Sequence, residues 1–215
     1  MRRILPRIPA LPRRHPRAEN PPQQSWRRLA ASLLTLTCSM TTGWVHGAWT
    51  LDNDASALNF ISTKESHIAE THTFDRLAGG IDDAGQASVT IDLTSVNTGI
   101  GIRNQRMQSM LFNAVQFPQA QINAVVDVQS VNDSNATILP ITATLNLAGA
   151  STDVTGQVIV SPAGPDAVTV TTVAPIVVTA SSLNLESGID ALRDIAGLPS
   201  ISYSVPVTFS LTFKR

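Results

Sequence analysis

Beyond the basic N-terminal region, the side chains best suited to metal ligation or proton transfer gather in one short stretch: Glu65, His67, Glu70 and His72. Their spacing argues against a shared centre. A separation of five puts the two histidines on opposite faces of a strand, whereas Glu65/His67 and Glu70/His72 share faces only pairwise. The stretch reads as a weak metal site at most, and no metal or other cofactor is expected. Cys38 is the sole cysteine and lies in the N-terminal region, so the remainder has no disulfide, thiol nucleophile or thiolate metal site. No Gly-x-Ser-x-Gly, His-Glu-x-x-His, phosphate loop or dinucleotide fingerprint occurs, and no catalytic residue is assigned. Arg103 and Arg106 have two readings: they meet a polar head group or phosphate, or they tie their segment to a carboxylate, with Asp92 one partner in reach. An enzyme is not expected.

What the residues offer in place of catalysis is apolar burial, and period-two patterning decides where it happens. Ser88 to Leu93, Gln121 to Val128 and Ile141 to Leu147 alternate polar and apolar side chains. The C-terminal run sets Tyr203, Val205, Val207, Phe209, Leu211 and Phe213 on one face and Ser204, Pro206, Thr208, Ser210 and Thr212 on the other. Such alternation marks strands with one buried and one wet face. Further strands are read at 49–62, 154–160, 168–173 and 176–179, separated by turn signals at 82–85, 132–135 and 162–165. Roughly eight amphipathic strands predict an all-β antiparallel barrel or sandwich.

Two stretches leave the strand period. Between Arg103 and Phe112, Arg103, Met107, Met110 and Leu111 fall on one helical face. Ser187 to Ala196 reads as a second short helix, with Ser187 as N-cap, Ile189, Leu192 and Ile195 as its apolar stripe, and Gly197 then Pro199 as its stop. The inward, ligand-facing candidates are Leu58, Phe60, Val89, Ile91, Ile122, Val126, Leu145, Val207, Phe209 and Leu211, with Leu147 beside them. Met107, Met110, Leu111 and Phe112 form either an adaptable lid or a plain end cap. The inward residues either line a cavity or fill the interior by packing on one another, since eight strands enclose just enough room for one small ligand or for side chains alone.

Charge divides the chain. Eight of the fifteen basic residues precede Trp49, opposed there by Glu19 alone, and the rest carries seven basic against fifteen acidic residues, a formal charge of −8. An acidic body argues against nucleic acid or an anionic lipid surface as its main partner. The basic stretch ending at Arg28, the apolar run Leu29–Leu36 and the small residues of Val45-His46-Gly47-Ala48 read as an export leader over 1–48, ahead of one domain over 49–215.

Specific residues point to a family. Val89-Thr90-Ile91-Asp92-Leu93-Thr94-Ser95-Val96-Asn97-Thr98, then Arg103-Asn104, Leu111-Phe112-Asn113 and Phe117-Pro118-Gln119-Ala120 resemble the central signature of the YceI-like family. Leu145-Asn146-Leu147-Ala148-Gly149 resembles a further strand of it, and Trp49-Thr50-Leu51-Asp52, Ser56 and Phe60 its opening strand. The resemblance implies an eight-stranded antiparallel lipocalin-like barrel with one or two short helices. It also implies a periplasmic carrier that holds a long apolar ligand, a polyisoprenoid or another lipid. The alternative is a non-catalytic interaction or stress-response module with a self-filled core; a homodimer is left open. Two departures stand out: His72-Thr73-Phe74 where the family often has Gly-x-Phe, and Gly149-Ala150-Ser151-Thr152 where it has Gly-Val-Thr-Lys.

Overall fold

A computed structural model describes residues 49–127 and 135–215. The leader, Val128 and all but Asn135 of the turn read at 132–135 lie outside the described residues. The Val-, Ile- and Thr-rich runs form strands, as their branched side chains favour on a pleated, half-buried surface. In chain order these are β1 (Trp49–Lys64), β2 (Ile68–Phe74), β3 (Leu77–Ile81), β4 (Gln86–Asp92), β5 (Val96–Asn97), β6 (Gln119–Val125), β7 (Thr137–Leu147), β8 (Ala150–Gly164), β9 (Ala167–Thr172), β10 (Ile176–Thr179) and β11 (Ser204–Lys214). Helix α1 (Gly101–Arg106) widens into a π-turn over Met107–Leu111, and α2 spans Glu186–Ala196.

The antiparallel order β1-β3-β4-β6-β7-β8-β9-β11 returns to β1, so the sheet closes as an eight-stranded barrel. Closure removes the free edges that a Val- and Thr-rich sheet would otherwise offer to another chain. Beyond this ring, β2 and β5 extend the wall beside the second half of β1, and β10 extends it beside the first half of β11. Register aligns the apolar faces across neighbouring strands: Val89 lies opposite Ile122 and Ile122 opposite Leu145, while Leu58 faces Phe209 and Phe60 faces Val207.

One irregularity in the ring is satisfied locally. Between Asp52 and Ala57, β1 bulges against β11. The Thr212 N–H donates to Ser56 Oγ at 3.0 Å, Ser56 Oγ–H to the Asp52 carbonyl at 2.6 Å, and Thr212 Oγ1–H to the Ala55 carbonyl at 2.9 Å. The extra residues therefore leave none of these groups without a partner. The β7–β8 hairpin turns on Ala148 (φ 50°) and Gly149 (φ 83°), the left-handed pair that matches strand twist.

Two helical details differ from the sequence reading. Ser187 falls inside α2 rather than at its cap: Asn184 adopts a left-handed conformation (φ 57°), and the Leu185 carbonyl accepts from Ile189 N–H at 3.0 Å, so the helix starts earlier. Its end matches, with Gly197 at φ 64° and Leu198 N–H bonded back to the Arg193 carbonyl at 3.1 Å. The segment read as a helix from Arg103 to Phe112 begins at Gly101 and changes hydrogen-bond period at Met107.

Candidate functional site

The barrel encloses a cavity of about 230 Å³ whose lining residues are all apolar. Val89 and Ile91 of β4, Ile122 of β6 and Val126 just beyond it line the cavity, joined by Leu58 and Phe60 of β1, Leu145 of β7, and Val207, Phe209 and Leu211 of β11. Met107 and Leu111 reach it from the π-turn. Of the candidates named from sequence, Met110 alone does not line the cavity; it points outward and is 36% exposed. The reason is the π-turn, whose wider period turns Met110 off the face shared by Met107 and Leu111. An apolar cavity of this size is a dry space suited to apolar guests rather than water.

Sequence reading missed part of this wall. Phe74, Ile176, Val178, Leu183 and Leu185 also line the cavity. Phe60, Phe74 and Phe112 form a continuous aromatic strip, with centroids 5.3 Å and 6.0 Å apart. The alternation of Ile176 and Val178 was visible in sequence, whereas nothing in the Ala180–Leu185 stretch signals which side chains turn inward.

The two ends of the barrel differ. Where β1 begins, Trp49, Leu51, Ile81 and Phe213 are buried together, and the Arg215 guanidinium lies 4.2 Å from the Trp49 ring centroid. Where β1 ends, α2 packs on the π-turn. An added Cβ on Gly188 would lie 2.9 Å from the Met110 carbonyl oxygen and 3.0 Å from Leu111 Cα, so only glycine allows this approach.

A polar layer lies at this helical end. β1 continues past Phe60 with Ser62 and Lys64 on the same face, and β2 places Glu70 and His72 opposite them, with Phe60 paired to His72 and Ser62 to Glu70. Lys64 Nζ lies 2.8 Å and Arg103 Nη1 2.9 Å from Glu70 Oε2. These two cations hold the Glu70 carboxyl below its ordinary range, Lys64 contributing most, although burial pulls the other way. Arg103 therefore pairs with Glu70 and not with Asp92, which instead accepts from Arg76 Nε at 2.9 Å. The adjacent Asn104 Oδ1 accepts from Thr98 N–H at 2.9 Å, while Arg103 Nη2 donates to the Thr98 carbonyl at 2.7 Å. The Arg-Asn pair thus locks α1 onto the strand end that precedes it.

His72 is 3% exposed, packs against Phe60 with centroids 5.2 Å apart, and its Nε2 lies 2.9 Å from Ser62 Oγ. Burial pushes its pKa down, and the nearby Arg103 charge adds to this. His67 is exposed in a turn that it forms with Glu65 and Ser66, both at positive φ, so the face shared by Glu65 and His67 on an unbroken strand does not exist. Among the described residues, no group of three or more His, Cys, Asp and Glu side chains is placed to hold a metal ion.

This architecture has relatives. The YceI-like domain matches residues 49–213. The chain belongs to the YceI-like family. A polyisoprenoid-binding domain from Saccharophagus degradans, described as implicated in plant cell wall breakdown, is 39% identical, with a TM-score of 0.76 over 78% of this chain and 98% of that one. Burkholderia cenocepacia BcnA shares the fold at 20% identity and a TM-score of 0.59, over 75% of this chain and 98% of that one. A Campylobacter jejuni YceI protein shares it at 16% identity and a TM-score of 0.50, over 67% of this chain and 84% of that one. No curated protein matches the chain. No helix among the described residues is long and apolar enough to cross a membrane.

Proposed function

We propose that this YceI-like protein is a periplasmic carrier that sequesters a long apolar ligand, a polyisoprenoid or another lipid, inside its barrel. The observation that carries the reading is the uniformly apolar cavity at the barrel axis. Burying a methylene there contributes on the order of 0.8 kcal/mol, so a prenyl chain gains enough over several units to offset the ordering costs of association. The polyisoprenoid-binding description of the 39%-identical neighbour supports the chain class. The basic leader, the apolar run and the small residues before Ala48 support export.

Native mass spectrometry of the protein purified after export tests both parts. The expected spectrum shows a polypeptide starting at Ala48 or Trp49 and a copurified apolar adduct that exchanges for added prenyl alcohol. A barrel that arrives empty and refuses prenyl and fatty acyl chains alike contradicts the carrier reading, and a retained leader contradicts export.

A further inference from the structure

We propose that an apolar ligand enters and leaves the cavity sideways, through a seam in the barrel wall between the first half of β8 and β10. This rests on the carrier reading above and adds the route that its ligand takes. Both ends of the barrel are packed. Trp49, Leu51, Ile81 and Phe213 fill one, under the Arg215 guanidinium, and at the other Met107, Leu111 and Ile189 reach the cavity from the π-turn and α2. The wall between the ends is not uniform. β8 pairs with β9 only from Val158 onward, and beyond Thr172 the place beside β11 passes to β10. β10 lies against the first half of β8, yet among the described residues no backbone hydrogen bond joins the two strands.

Register shows which groups face the seam. The last backbone bond before it is donated by Val173 N–H to the Gln157 carbonyl at 2.9 Å, and antiparallel alternation turns the backbone groups of Thr155 and Asp153 to the same side. On β10, Ala180 N–H donates to the Tyr203 carbonyl at 2.8 Å, so alternation aims the backbone groups of Val177 and Thr179 away from β11 and towards β8. Two strand edges therefore face each other with no ladder between them. All four residues are exposed, which leaves these groups to water. Side chains make the seal. A Cβ added to Gly156 would lie 2.8 Å from Ile176 Cγ1, so Ile176 closes directly over a residue that has no side chain. Val154, Ile176 and Val178 line the cavity, so both flanks of the seam are apolar on the inside. Parting the seam separates these side chains and breaks no backbone hydrogen bond. Parting β4 from β6, or β7 from β8, breaks a whole ladder.

A reversible staple tests the route. Thr155→Cys and Val177→Cys, introduced together with Cys38→Ser, put one thiol on each outer flank of the seam, to be joined by a reducible bis-methanethiosulfonate reagent. Timed native mass spectrometry reads uptake and release of farnesol. Stapling should slow both rates at least about tenfold with affinity unchanged, as closing a gate does, and reductant should restore them. Ile176→Ala removes the seal and should quicken uptake as well as release, at least about threefold, whereas the mere loss of a wall contact quickens release alone. A third readout needs no variant: in the unmodified protein the amides of Asp153, Thr155, Val177 and Thr179 should exchange at least about tenfold faster than those of Val154 and Val178, which face the paired strands. Stapled protein that exchanges farnesol at the unstapled rate, unchanged uptake by Ile176→Ala, or equal amide protection on the two sides overturns the seam and leaves the carrier reading intact. Refusal of farnesol by the unmodified protein overturns both.

Discussion

At the scale of single residues, His72 ties stability to pH. Its folded pKa lies below the ordinary histidine value of 6.5, because burial disfavours the imidazolium. The unfolded chain therefore binds more protons than the folded one just below pH 6.5. The stability that neutral His72 contributes is fully present above that value and is lost as pH falls towards the folded pKa, with a slope of up to about 1.4 kcal/mol per unit. Glu70, Asp52 and Asp92, all with lowered pKa values, contribute stability present above their ordinary values of 4.5, 3.8 and 3.8 and lost on further acidification. Urea unfolding between pH 7.5 and 5 thus isolates the histidine: the native protein should weaken over that range and His72→Gln should stay flat. A native profile as flat as the variant's contradicts the assignment. The His72–Glu70 pairing on one face was legible in sequence from spacing alone. The partner of Arg103 was not, because choosing Glu70 over Asp92 depends on how β2 and α1 meet in space.

Elements carry the next set of constraints. β3 escaped the sequence reading because it is Leu-Ala-Gly-Gly-Ile, without a β-branched residue before Ile81, and β2 was placed only by the resemblance around His72-Thr73-Phe74, because with Glu70 and His72 on the face of Phe74 its alternation carries polar residues on both faces. By contrast β4, β6, β7 and β11 were legible because each has one wet and one apolar face. The contact of α2 on the π-turn rests on Gly188, and Gly188→Ala should force the two segments apart at a cost of about 1–3 kcal/mol, the usual range for overpacking. Chemical denaturation measures this, and an unchanged midpoint contradicts the close approach. On the other side of the barrel, Ser56→Ala removes the acceptor for Thr212 N–H in the β1 bulge, with an expected loss of about 1–3 kcal/mol for a buried donor left unpaired. Thr212 amide exchange should quicken in the same variant.

Over the whole molecule, the question is whether the closed ring holds a space or only a core. Family signature and strand period together made the barrel legible, but no linear pattern records how far opposing side chains reach across the axis. Ala143 makes the distinction measurable, since it is buried and lines the cavity. Ala143→Phe should fill the cavity, weakening uptake of a prenyl alcohol at least about tenfold while changing stability by less than about 1 kcal/mol; a cost of about 1–3 kcal/mol, the overpacking of a filled core, contradicts this. The most direct measurement is intermolecular NOE spectroscopy on methyl-labelled protein loaded with farnesol. The carrier account predicts contacts from the prenyl protons to the inward methyl groups of Leu58, Leu145, Val207 and Leu211. Contacts confined to outward methyl groups such as Val125, Ile138 and Val177, or none at all, would contradict it.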